Sequence, residues 1–365
     1  MPKHWREASS LILASRINFR SILGSSRYTD MNYSNESVKR VSRKNPDYTV
    51  LFMRRSVKSS FMPGVYVFPG GTTVPSDSNE GWKELFNDSG YTASNFRHLP
   101  PLAPIFHDAE NSRIAKAISL RITAIRETFE ECGILLCRNK LIQNESKPWA
   151  SFLSGGEVLE WQKKVQQNPS ELLNLYKTFE CVPDIWALHL WSNWLTPVTY
   201  PKRFDTVFFI ALLDQAPPTS IDNTEVDEMK WCTTSDIIQD KYKLPPPQLY
   251  EVSRLNNFGT LDHLAEFTVE RAKLGCERWM SVQVKTSDGV VGFLPGDDMY
   301  PSSPELYERT SLKQYKEKME DLRIKSTRLH RWESNGKYIN RIFASNIEPG
   351  YGHVLPVTDD SPPGY

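Results

Sequence analysis

The stretch Arg126-Glu-Thr-Phe-Glu-Glu-Cys-Gly-Ile134, RETFEECGI, decides how the rest of the chain is read. Upstream of it, apolar residues recur at Ile118, Ile122, Ile125, Phe129 and Cys132. Spacings of three and four predict an amphipathic helix from about Ile114 to Cys132, with Gly133 as its stop. Residues three and four apart are neighbours on a helix, so Glu127, Glu130 and Glu131 share one face while Ile125, Phe129 and Cys132 turn to the core. Like charges at that spacing cost roughly 0.2–0.5 kcal/mol per pair. A compensating cation is one reading of the clustering, and a solvated acidic face is the other. Hard carboxylate oxygens on a rigid element suit Mg²⁺ or Mn²⁺, which often also hold substrate phosphates.

Working outward, "YTVLFMRRS" (Tyr48 to Ser56) reads as a strand, and "GVYVFPGG" (Gly64 to Gly71) as a second strand ending in a glycine turn. The polar, proline-containing stretch from 72 to 109 reads as an insertion with one short helix near Trp82 to Phe86 and little to bury. A second insertion, 138–182, holds two helical patterns, "EVLEWQKKVQQ" and "ELLNLYKTF". "FDTVFFIALL" (Phe204 to Leu213) returns to strand character. Helical patterns follow at Tyr250 to Phe258 and Leu261 to Leu274. Asp288-Gly289 and Asn335-Gly336 mark two closing hairpins. The expected class is α+β, an α/β/α sandwich with a mixed sheet between helices. The expected organisation is a catalytic domain over 5–243 interrupted at about 78–109 and 138–182, with a C-terminal α+β extension over 244–365 packed on it.

Composition narrows the function classes. Lys+Arg and Asp+Glu both number 44 in 365 residues, so no overall field favours nucleic acid or an acidic membrane. Five cysteines without paired spacing read as reduced thiols of an intracellular protein rather than a zinc site. No apolar run approaches the roughly 20 residues of a membrane span. The first 28 residues carry Lys3, Arg6, Arg16, Arg20 and Arg27 against Glu7 alone. They read either as a mitochondrial transit peptide or, through "SSLILA" (Ser9 to Ala14), as the first strand of the fold. The chain ends Pro363-Gly364-Tyr365, which is no peroxisomal tripeptide. A mitochondrial or cytoplasmic location is the expectation.

"FPGG" (Phe68 to Gly71) followed by RETFEECGI resembles the Nudix box, G-x5-E-x7-R-E-U-x-E-E-x-G-U. Gly71 matches its glycine, and Asp77 stands where the pattern has glutamate. Residues 78–125, 48 positions where the pattern has seven, then precede Arg126, so the box is split. Upstream, Arg55-Ser56, Gly64 and Phe68 to Gly71 match the spacing of a pattern found in coenzyme-A-cleaving Nudix enzymes, with Ser60 in place of its second arginine. "WREASSLILA", "DIWALHLWSNWLTP", "RFDTVFF" and "LPPPQLYE" extend the similarity, from about Trp5 to Pro295, to the nucleoside diphosphate-linked moiety X motif 19 group. Vertebrate members of that group end in a peroxisomal tripeptide. The resemblance implies a Nudix fold and a divalent-cation-dependent hydrolase of nucleoside-linked diphosphates.

It also implies roles. Glu127 and Glu131 would hold Mg²⁺ or Mn²⁺, with Glu130 bridging or binding a further ion, and Arg126 would orient a box carboxylate. The Gly70-Gly71 turn would let backbone approach metal or phosphate. The general base would be Glu228 or Glu225. Arg55, beside Ser56, leads the candidates for the fixed phosphates, followed by Arg203 and Lys58; Arg203 has bracing Asp205 as its other reading. Trp186, Trp191 and Trp194 either stack an adenine or pack in the core. Three functions stay open: hydrolysis of coenzyme A and acyl-coenzyme A, hydrolysis of ADP-ribose, dinucleotides or RNA caps, and a catalytically silent binding module. The partner in each enzyme reading is a small-molecule substrate.

Overall fold

The computed structural model describes residues 5–17, 46–59, 62–99, 102–107, 114–139, 149–221, 225–239, 242–335 and 339–358. Its strands are β1 (Arg6–Arg16), β2 (Tyr48–Arg55), β3 (Tyr66–Val67), β4 (Gly70–Thr72), β5 (Leu135–Asn139), β6 (Phe152–Leu153), β7 (Cys181–Pro183) and β8 (His189–Leu195). They continue with β9 (Phe204–Leu213), β10 (Val226–Cys232), β11 (Arg278–Trp279), β12 (Val282–Lys285), β13 (Val290–Phe293), β14 (Lys313–Gln314), β15 (Leu329–Ser334) and β16 (Ile339–Ser345). The helices are α1 (Gly81–Asp88), α2 (Pro104–His107), α3 (Lys116–Cys132), α4 (Gly156–Gln167), α5 (Glu171–Thr178), α6 (Thr234–Gln239), α7 (Pro246–Leu255), α8 (Leu261–Ala272) and α9 (Met319–Ile324).

The central sheet runs β10-β2-β1-β9-β8-β11, with β3 paired to β2 and β4 to β1. β1 and β9 pair in parallel from Arg6 opposite Phe204 to Ser15 opposite Leu213. Both are near-continuous apolar runs because both faces of the sheet are covered. Leu11, Leu13, Val207, Phe209, Ala211 and Leu213 enter one core with Ile122, Ile125 and Phe129 of α3. Ile12, Ala14, Phe208, Ile210 and Leu212 enter a second core with Val252 and Leu255 of α7 and Leu264 of α8. The alternation along each strand thus builds the α/β/α sandwich. Residues 6–16 are a strand at the sheet's centre, as "SSLILA" suggested; residues 18–28 of the transit-peptide reading lie outside the described residues.

The segment from 78 to 109 differs from its expected character. It supplies helices and turns, but it is core: Trp82, Leu85, Phe86, Tyr91, Ile105 and Phe106 are buried with the α3 face. Trp82 meets Tyr176 of α5 edge-on at 5.8 Å, and Tyr91 stacks on Trp186 at 4.5 Å. The two insertions therefore pack on each other. Its few aromatics outweigh its many polar residues because each large ring removes about 150–250 Å² from water.

Strand β8 carries two of the candidate tryptophans, Trp191 and Trp194. A bulge between Leu190 and Ser192 resets the strand's alternation, so Trp191 and Trp194 both enter the second core. The C-terminal strands form a separate sheet, β14-β12-β13-β15-β16, covered by α9. β12 and β13 flank Asp288-Gly289 as expected. β15 and β16 pair antiparallel around the second hairpin, whose Gly336 lies outside the described residues. Trp5, Leu195, Val198 and Met280 join this region to the main body.

Candidate active site

Strand β4 lays the glycine pair along β1, with Gly70 opposite Ser10 and Gly71 opposite Ser9. Gly70 sits at φ +149°, and a Cβ there would overlap the Ser9 carbonyl and lie 2.7 Å from the Ser10 Cα. Only glycine fits. A Cβ on Gly71 would stand 2.5 Å from the Glu127 carboxylate carbon. The Glu127 carboxylate therefore rests against a bare Cα. One helical turn on, Glu131 accepts a hydrogen bond from the Gly70 N–H at 2.9 Å. Helix α3 stops directly afterwards at Gly133, φ +70°, whose N–H returns to the Phe129 carbonyl.

Arg126 locks this corner. Its guanidinium donates to Asp77 at 2.8 and 3.1 Å, to Glu130 at 3.0 Å and to the Thr72 carbonyl at 2.9 Å, and lies 3.0 Å from Glu127. Asp77 also accepts from Thr123 Oγ1 at 2.8 Å and from the Val74 N–H at 3.1 Å. The two halves of the split box thus meet through a buried ion pair across the 48-residue interruption. Glu130 is held by Arg126, whereas Glu127 and Glu131 flank the glycine pair.

The acidic face is largely enclosed, with Glu131 buried and Glu127 and Glu130 half-buried. Burial pushes Glu127 up to about 7, against the pull of Arg126 and with a further push from Glu130. Burial, then the Glu127 charge, raises Glu131 well above the usual carboxylate range. Glu130 is raised for the same first reason. Among the described residues no three His, Cys, Asp or Glu side chains are gathered into a ready chelate. Two oxygen-only donors in a glycine-lined corner that opens on a cleft nevertheless fit a hard divalent cation such as Mg²⁺, which usually takes one or two protein carboxylates and keeps several waters.

All three glutamates line a cleft of about 1180 Å³ that runs from Gly70 and Gly71 past Phe208 and Trp194 to Pro246 and Gln283. Arg55 lines it too; its guanidinium donates to Ser59 at 3.0 Å, and its charge acts on Glu131. Ser56 is buried behind this wall, its N–H donating to the Glu225 carbonyl at 2.7 Å. Ser60 lies outside the described residues, and Lys58 is exposed without lining the cleft.

Two of the assigned residues sit elsewhere than expected. Glu228 does not reach the cleft: it accepts from Tyr66 OH at 2.7 Å and sits 3.2 Å from Lys230, on the side of the second core. A bulge between Val226 and Glu228 separates it from Glu225, which does line the cleft and raises both Glu130 and Glu131. Arg203 lines the cleft wall, but its guanidinium donates to the carbonyls of Thr196 and Leu306 at 2.9 and 2.7 Å. It clamps the start of β9 to the C-terminal region, while Asp205 takes Asn193 and Arg278, each at 2.7 Å. Of Trp186, Trp191 and Trp194, only the last lines the cleft, its indole N–H fixed on buried Glu251 at 2.7 Å. Arg6, Lys202 and Gln283 complete the far wall and carried no local signal in the sequence.

The chain matches the family model of the NUDT19 Nudix domain over residues 5–255 and that of the NUDT19 C-terminal domain over 283–343. It is 37% identical to the acyl-coenzyme A diphosphatase NUDT19 of Xenopus laevis, covering 98% of this chain and 97% of that protein. The protein of the same name from Gallus gallus is 35% identical over 98% of this chain and 97% of its own length. That from Homo sapiens is 33% identical over 97% and 95%. A split Nudix box closed by Asp77 and Arg126, followed by the matching C-terminal sheet, agrees with both models: the chain belongs to the NUDT19 family of Nudix hydrolases.

Proposed function

We propose that the chain hydrolyses the diphosphate of coenzyme A and acyl-coenzyme A esters, releasing 3′,5′-ADP and (acyl-)4′-phosphopantetheine, with Mg²⁺ or Mn²⁺ as cofactor. The observation that carries the reading is the corner in which the buried Glu127 and Glu131 carboxylates face the Gly70-Gly71 turn inside a cleft that also presents Arg55. The name shared by its full-length relatives supports the choice of coenzyme A among diphosphates. A divalent cation bound there would neutralise diphosphate oxygens and acidify a bound water.

The chain's own residues do the positioning. Glu127 and Glu131 supply the anionic donors, and Glu130 tethers Arg126, whose grip on Asp77 keeps α3 in register with β4. Arg55 adds a fixed positive charge beside Glu131, suited to a phosphate oxygen because arginine–phosphate hydrogen bonds are directional and charge-assisted. Glu225, which lines the same cleft, is the carboxylate we assign to accept a proton from an attacking water. The bare Cα of Gly71 leaves the room at the turn that the Glu127 carboxylate fills.

The test is a substrate panel of coenzyme A, acyl-coenzyme A, ADP-ribose, diadenosine polyphosphates and capped RNA, assayed with Mg²⁺ and with Mn²⁺, products identified by mass. Cleavage of coenzyme A to 3′,5′-ADP is expected to dominate. Preferential cleavage of ADP-ribose or a cap would transfer the assignment to that substrate, and turnover of nothing would leave a binding module.

A further inference from the structure

Past the glutamates, the cleft ends at the starts of β1 and β9, where it presents two cations that the scheme above does not use. Arg6 and Lys202 both line it, and both are exposed. Neither makes a side-chain hydrogen bond or ion pair among the described residues. Their backbones are tied together. Arg6 pairs with Phe204 across the parallel β1–β9 ladder, and its N–H donates to the Arg203 carbonyl at 3.0 Å. Arg203 is itself pinned by the Thr196 and Leu306 carbonyls, so Lys202 leaves from a fixed point. Two long cationic side chains thus start from neighbouring, anchored positions at one end of the cleft.

Their distance from the reacting centre follows from strand geometry. Arg6 lies three residues before Ser9, the partner of Gly71. At about 3.3 Å per residue this places the Arg6 backbone roughly 10 Å along the sheet from the glycine turn. Arg55 lies instead at the end of β2, close enough to Glu131 to act on its charge. The cleft therefore carries positive charge in two places, one at the diphosphate centre and one remote from it. A diphosphate alone engages only the first. A phosphomonoester carries close to two negative charges at neutral pH, the number that Arg6 and Lys202 together offset.

We infer that Arg6 and Lys202 bind a terminal phosphomonoester of the substrate, remote from the bond that is cut. The inference rests on the coenzyme A reading, in which that group is the 3′-phosphate of the adenosine. Recognition of this phosphate is then separate from Arg55, which belongs to the diphosphate. The cleft then distinguishes coenzyme A from its dephospho form at Arg6 and Lys202.

The test compares binding of 3′,5′-ADP and AMP to the full chain by calorimetry, for the wild type, for the double variant Arg6→Gln/Lys202→Gln and for Arg55→Ala. Loss of hydrogen bonds to a charged phosphate corresponds to roughly tenfold or more in affinity. The wild type is expected to prefer 3′,5′-ADP by at least about that factor. The double variant should lose the preference, while Arg55→Ala should weaken both ligands alike and keep it. The ratio of kcat/KM between coenzyme A and dephospho-coenzyme A should collapse in parallel. An unchanged melting temperature controls for folding, since neither side chain is buried or paired. A double variant that keeps the preference overturns the inference while leaving coenzyme A hydrolysis standing. A wild type with no preference overturns it as well. If the wild type cleaves neither coenzyme A nor its dephospho form, the functional reading fails, and the binding comparison still decides what the two cations hold.

Discussion

Replacing Gly71 by alanine should separate catalysis from stability. The new Cβ would lie 2.5 Å from the Glu127 carboxylate carbon and 2.6 Å from each of its oxygens. Ordinary contact begins near 3.4 Å, so the carboxylate must retreat by about 1 Å. A misplacement of about 1 Å in a catalytic constellation costs on the order of 100-fold in rate, or about 2.7 kcal/mol of barrier. The fold should tolerate the change. Gly71 does not occupy the left-handed region, the displaced group is the end of a flexible side chain, and alanine gains about 0.4–1 kcal/mol from a less free unfolded chain. Gly70→Ala is the contrast, because its Cβ meets the β1 backbone itself at φ +149°. That variant should lose roughly 2 kcal/mol or more of stability. Urea unfolding alongside single-turnover kinetics on coenzyme A would read both effects. A Gly71→Ala enzyme with wild-type rate would show that the position of the Glu127 carboxylate is not used in the reaction.

Further outcomes follow from the same corner. Glu131→Gln should abolish most turnover, and with chelator present at pH 8 it should melt no lower than the wild type, because it removes a charge that burial disfavours. The chelated wild type should itself lose stability as pH rises. The folded pKa of Glu127, about 7, lies above its ordinary 4.5, so this contribution is fully present below pH 4.5 and gone above 7. Glu127 by itself contributes at most about 3 kcal/mol of this loss, and a profile of unfolding free energy that stays flat between pH 4.5 and 8 would contradict the buried geometry. Asp77→Ala should destabilise by about 3 kcal/mol or more in thermal or urea unfolding, since it strips a buried guanidinium of its bidentate partner. Trp82→Ala should cost about 3–5 kcal/mol in the same assay, where a peripheral insertion would barely respond.

What could be read from the sequence follows the physics of periodicity. The α3 face and the doubly buried runs of β1 and β9 were legible because each imposes its period over many residues. The glycine turn is legible in its own residues, whereas the resemblance offers Arg126 a box carboxylate to orient without saying that Asp77, 49 positions away, is the one it grips. Bulges hid the rest. One extra residue in β10 turns Glu228 to the opposite face from Val226, two positions before it, and one in β8 makes tryptophans three apart share a strand face. Neither shift leaves a mark on local composition. The partner of Arg203 is a carbonyl at Leu306, 103 residues away, where no side-chain identity could announce it. The 78–109 segment was misjudged because average polarity ignores how few aromatic rings suffice to build a core.

The parallel pairing of β1 with β9 has a consequence for how the protein is made. The two strands at the middle of the sheet lie about 200 residues apart in the chain. At a ribosomal pace of roughly 5–20 residues per second, β1 waits about 10–40 seconds for its partner to be synthesised. Throughout that interval its ladder groups have only β2 and β4 as partners, and Ile12 and Ala14 wait for the helices α7 and α8, made later still. Non-local parallel pairing is intrinsically slow to form and exposed to aggregation. A nascent chain halted before Phe204 should therefore depend on chaperones and be degraded, so that yield in the cell tracks translation past β9 more closely than it tracks the stability of the finished fold.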